Sequence, residues 1–99
     1  MADHKREIES CKSEIARIKS FIDAKKKSID SLKKDKSRVS ERYQAQIKRA
    51  DTKDKAKLRD KKKYELEGLA KQITSLKKVI DDYKRQILSK RDHIKRLKK

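Results

Sequence analysis

Few residues in this chain have the type and spacing to do chemistry, and each set points to binding. His4, His93 and Cys11 are the soft metal-ligand types, and three such residues brought together could hold a zinc ion. Cys11 has a simpler role as a small hydrophobe in an apolar row. As the single cysteine it cannot form an internal disulfide, although a bridge between two copies through Cys11 is chemically available. The carboxylates sit beside bases at helical spacing, where ion pairing accounts for them. There is no glycine-rich loop, HExxH or CxxC. The sequence therefore reads as non-enzymatic and without a cofactor.

Clustered positive charge is the strongest chemical signal. Seven bases (Lys53, Lys55, Lys57, Arg59, Lys61, Lys62 and Lys63) stand against Asp54 and Asp60, a net of +5. Eight more (Lys84, Arg85, Lys90, Arg91, Lys95, Arg96, Lys98 and Lys99) stand against Asp92, a net of +7. Such clusters attract phosphate through counterion release, without sequence selectivity. They can equally serve as a solvated surface that keeps a thin rod soluble. Lys outnumbers Arg by 24 to 9, whereas base readout favours the bidentate Arg fork. Phe21, Tyr43, Tyr64 and Tyr83 are dispersed and make no stacking platform. Loose attraction to nucleic acid, an acidic protein or anionic lipid fits this better than specific recognition.

The elements that carry these residues follow from composition and period. With 99 residues, 49% charged and 32% hydrophobic, the chain cannot fill a globular core. Gly68 is the one glycine and proline is absent, so a fold with many turns is excluded. The apolar residues form two stripes with alternating steps of three and four. The first runs Ile8, Cys11, Ile15, Ile18, Ile22, Lys25, Ile29, Leu32, Lys36, Val39, Tyr43, Gln46, Ala50. The second runs Leu66, Leu69, Ile73, Leu76, Ile80, Tyr83, Ile87, Lys90, Ile94, Leu97. Narrow a/d stripes sustained for several heptads mark a coiled coil. Acids three or four residues before bases, such as Glu14 with Arg17, Asp23 with Lys27, Asp30 with Lys34, Asp81 with Arg85 and Asp92 with Arg96, support helix.

The two stripes are two residues out of phase, which one coiled-coil stutter does not produce. Residues 51–63 carry no stripe of their own, so the chain is expected to fold back there. Pairing positions whose numbers sum to 105 sets every a opposite a d, and sets Lys25, Lys36 and Lys90 each opposite an apolar residue. These lysines are expected to snorkel, stem packed and charge in water. The expected fold is an all-α, antiparallel two-helix coiled-coil hairpin, a single domain over 1–99. Helix 1 is expected over about 4–50, a basic tip over about 51–63 and helix 2 over about 64–98, with the turn near residues 51–54, where Asp51, Thr52 or Asp54 caps the return. Sliding the arms by one heptad would also match a with d, and an unbroken helix in a parallel dimer is the alternative fold.

Several apolar residues fall outside the stripes: Phe21 and Val79 at g, Ile47 at e, Leu88 at b. They are the candidate interface to a protein partner or to a second copy. No apolar run reaches membrane-spanning length and no signal peptide is evident, so a cytoplasmic location is expected, with leaderless export the alternative. In size and expected shape the chain resembles the WXG100 family of secreted helical hairpins, without that family's Trp-x-Gly turn. It is also similar in shape to basic coiled-coil stalk proteins of flagellar and type III export systems. That resemblance implies a chaperone or targeting partner for an exported protein as one form of adaptor; the Lys-rich clusters give a nucleic-acid-associated protein as the alternative function.

Overall fold

Good helix formers fill the outer faces, and neither proline nor a strained backbone interrupts them. In a computed structural model, which describes residues 2–98, they form α1 (Ala2–Arg49) and α2 (Thr52–Lys98), joined as a hairpin. The connection is two residues long, far shorter than the expected tip, and α2 starts at Thr52 instead of near residue 64. Asp51 makes this possible. Its carboxylate accepts a hydrogen bond from the Asp54 amide at 3.0 Å, and its carbonyl accepts one from the Lys55 amide at 2.9 Å. Asp51 is thus the N-cap of α2, meeting donors that a helix start leaves open. At the other side Ala50 N–H tightens the end of α1 onto the Ile47 carbonyl at 3.3 Å. No described residue adopts a positive φ, which is why the turn needs no glycine.

Two compact units divide the chain, one spanning Lys27–Leu76 around the turn and the other combining residues up to Lys26 with those from Lys77 onward. In the termini unit the shielded positions of α1 are Ile8, Cys11, Ile15, Ile18, Ile22 and Lys25, with Glu14 beside them. Those of α2 are Ile80, Tyr83, Ile87, Lys90, Ile94 and Leu97, with Val79 beside them. The main rows are mirror partners that sum to 105, as the sequence predicts. Direct contacts agree. Phe21 meets Tyr83, their ring centroids 5.8 Å apart, and the Lys90 ammonium donates to the Glu14 carboxylate. Glu14 was expected to serve Arg17 within its own helix, but it reaches across to Lys90. The closed intrahelical pairs include Asp35–Arg38 and Asp82–Arg85, at 3.9 and 3.5 Å.

In the turn unit the mirror also holds, but the heptad does not. The row on α1 runs Ile29, Leu32, Lys36, Val39, Tyr43, Ile47, Ala50, and the row on α2 runs Lys55, Leu58, Lys62, Leu66, Leu69, Ile73, Leu76. Ile47 is 9% exposed and belongs to the core, while Gln46, expected in the stripe, is exposed. Residues 51–63 do carry a stripe, through Lys55, Leu58 and Lys62. Both helices take two consecutive steps of four here, 39–43–47 and 58–62–66. These eleven-residue steps in the two arms, together with the five-residue step across the turn from Ala50 to Lys55, account for the phase difference between the stripes.

The core is thin. Its best-shielded members, Ile29 and Ile80, still keep 6% of their surface in water. Two helices cover only one side of each other, so the edges of the seam stay open.

Candidate binding surface

A seam edge is built from the residues that flank a and d. In the termini unit the e positions of α1 are Lys5, Lys12, Lys19 and Lys26, each seven residues from the next. Those of α2 are Lys77, Lys84, Arg91 and Lys98, again at spacing seven. All eight are exposed. In an antiparallel pair e flanks e, so both rows border one edge. There Lys19, Lys26, Lys84 and Arg91 line an open groove of about 470 Å³, with Asp23 as the acid on its wall. Ile22 and Ile87 of the core form its floor, and Leu88, 59% exposed, stands in it.

The other edge differs in charge. Its flanking residues are Glu7, Glu14 and Phe21 on α1 and Val79, Gln86 and His93 on α2. Phe21, 44% exposed, leans on Tyr83, and Val79 is half-buried. The Lys90 hydrogen bond and charge hold the Glu14 carboxyl below its ordinary value. One edge of this unit is thus cationic and the other neutral to weakly acidic.

The turn unit shows the same division. A groove of about 480 Å³ has Ile47 and Leu66 as apolar lining, with Lys36, Arg59, Lys62 and Lys63 as cations against Glu67. On its opposite edge Glu65 gathers two partners from α1. Tyr43 Oη donates to Glu65 Oε1 at 2.8 Å and Arg42 Nη2 to Glu65 Oε2 at 3.2 Å, with the guanidinium 5.6 Å from the Tyr43 ring centroid. The Glu65 hydrogen bond, followed by burial, raises the Tyr43 hydroxyl above its ordinary value by favouring the protonated form.

The expected basic clusters are redistributed by the fold. Lys53, Lys57, Arg59, Lys61 and Lys63 are exposed, whereas Lys55 and Lys62 lie in the shielded row. Of the second cluster, Lys84, Arg85, Arg91, Lys95, Arg96 and Lys98 are exposed, Lys90 is half-buried against Glu14, and Lys99 lies outside the described residues. Of the expected interface residues, Phe21 and Leu88 are exposed, Val79 is half-buried and Ile47 is in the core. Lys25 and Lys36 are half-exposed, as snorkelling requires. His4 and His93 are exposed while Cys11 is buried, and among the described residues no group of three His, Cys, Asp or Glu is placed to hold a metal. No described helix is long and apolar enough to cross a membrane.

No family model, curated protein or solved structure matches this chain. Its surface is therefore interpreted from its own chemistry. Sequence reasoning missed the lysine edge because it counted charge along the chain. The signal was present at every seventh residue from Lys5 and from Lys77, and only the heptad frame collects it.

Proposed function

We propose that the chain is a non-enzymatic coiled-coil adaptor that binds another protein along its helix faces. A chaperone or targeting partner for an exported protein is one concrete form. The observation that carries this reading is Leu88, exposed in an open groove above Ile22 and Ile87. A large apolar side chain at a seam edge gains by burial against a further apolar surface, by about 1.5–3 kcal/mol when covered completely. The thin core has the same implication, since a third or fourth helix would cover what two leave open.

The lysine edge favours a second reading, a nucleic-acid-associated protein held by phosphate contacts. A pull-down from source-cell lysate separates them, run with and without nuclease, at low and high salt, and with Leu88→Asp. Capture that survives nuclease and salt and is lost in Leu88→Asp supports the adaptor. Capture that disappears with nuclease and salt, and is indifferent to Leu88, overturns it in favour of the nucleic-acid reading.

A further inference from the structure

The structure assigns a partner chemistry to the cationic edge of the termini unit: an amphipathic helix with an apolar stripe flanked on both sides by Asp or Glu. This inference rests on the adaptor reading and deepens it.

Three features define the occupant. The floor, Ile22 and Ile87 with Leu88 above, offers apolar contact along the seam edge. The walls carry Lys19 and Lys26 on one side and Lys84 and Arg91 on the other, so the charge is paired across the groove. Along each wall the cations recur every seven residues, about 10.5 Å of helix at 1.5 Å per residue. A third helix packed in coiled-coil fashion repeats at the same interval. Its apolar residues would meet the floor while its flanking carboxylates meet both walls in successive heptads.

The other occupants fit less well. A second copy seated through the same edge would set eight cations against eight. Duplex DNA or RNA would satisfy the lysines but leave Leu88 and the floor without an apolar partner, and a nonspecific phosphate binder has no use for them. Acids near the groove are few, with Asp23 on its wall, so the edge keeps an excess of positive charge.

The test measures fluorescence anisotropy of three labelled probes with the full chain. The first is a helical peptide with Leu at a and d and Glu at e and g. The second is its scrambled counterpart, with the same composition and no stripe. The third is a short DNA duplex. Each is measured against the wild type, Leu88→Asp, the double variant Lys84→Glu with Arg91→Glu, and Phe21→Asp on the opposite edge. Circular dichroism verifies that each variant is helical; where one is not, Leu88→Ala replaces Leu88→Asp, Lys84→Gln with Arg91→Gln replaces the charge reversal, and Phe21→Ala replaces Phe21→Asp.

The striped peptide is expected to bind at least about tenfold more tightly than the scrambled one, a 1.4 kcal/mol difference. Leu88→Asp and the charge-reversed variant should each lose about tenfold or more, and Phe21→Asp should leave affinity nearly unchanged. Equal binding of striped and scrambled peptides would overturn the inference, because charge alone would then suffice. Peptide binding that depends on Phe21 and not on Leu88 would also overturn it, while leaving the adaptor reading intact. Tight duplex binding with no peptide binding would sink both.

Discussion

Replacing Ile47 by alanine, beside the control Gln46→Ala, tests the corrected packing of the turn unit. A plain heptad puts Gln46 in the seam and Ile47 outside, whereas the structure does the reverse. Ile47→Ala deletes three carbons from a side chain that is 9% exposed. At about 0.8 kcal/mol per buried carbon, the lost transfer energy is roughly 2 kcal/mol. The cavity contribution should be small, because a thin seam can close over the gap. Alanine's helix propensity returns a few tenths of a kcal/mol. A net loss of about 2 kcal/mol is expected, and Gln46→Ala should fall within about 0.5 kcal/mol of the wild type. The assay is urea unfolding followed by circular dichroism. With a slope of about 1–3 kcal/mol/M, Ile47→Ala should lower the midpoint by roughly 1 M. A Gln46→Ala loss equal to or larger than that of Ile47→Ala would refute the eleven-residue step.

Other perturbations have equally definite signs. Gly68 lies inside α2, and a Cβ added there would meet nothing within 4 Å. Gly68→Ala should therefore stabilise the chain by about 0.5–1 kcal/mol, and a lower thermal midpoint would contradict this. Asp51→Ala removes the cap of α2 and should cost about 1 kcal/mol, while Asp51→Asn should retain most of it. Equal losses in the two would mean that the side-chain oxygen is not what matters. Glu14 has a carboxyl lowered from 4.5 by Lys90, so its contribution is present above pH 4.5 and is lost as pH falls through the lowered value. Lys90→Met should flatten that acid limb of the stability curve, and an unchanged limb would exclude the cross-helix contact as its source.

Much of the fold was legible because it rests on period. The a/d stripes of Ile residues mark two helices and the mirror sum offers their pairing, while the choice against a one-heptad slide comes from the cross-helix contacts of Phe21 with Tyr83 and Glu14 with Lys90. What the period could not show was the tip. Lysines at 55 and 62 occupy shielded positions through their stems, so a polarity pattern reads them as solvent-facing. Only Leu58 marks the stripe there, and one residue defines no period. The same ambiguity displaced Ile47, because Gln46 and Ile47 differ by one residue in a region where the repeat changes step. For the binding surface, Leu88 and Phe21 were evident as apolar residues off the stripe. The cross-helix bonds of Glu14 and Glu65 were not, since a carboxylate on a helix has bases within reach on its own turn as well as across the seam.

The two-residue connection at Asp51 also sets an order of assembly. Layer by layer, the residues that pair are separated by ever longer stretches of chain, from Ala50 with Lys55 to Ile8 with Leu97. Closing the long loop first carries the larger entropy cost, but once one layer has formed the next needs only a few more residues ordered. The hairpin should therefore zip from its turn. Ile47 and Leu58, in the first wholly apolar layer, belong in the rate-limiting nucleus, so weakening them should slow folding. Weakening Ile8 or Leu97, in the last layer to close, should chiefly hasten unfolding.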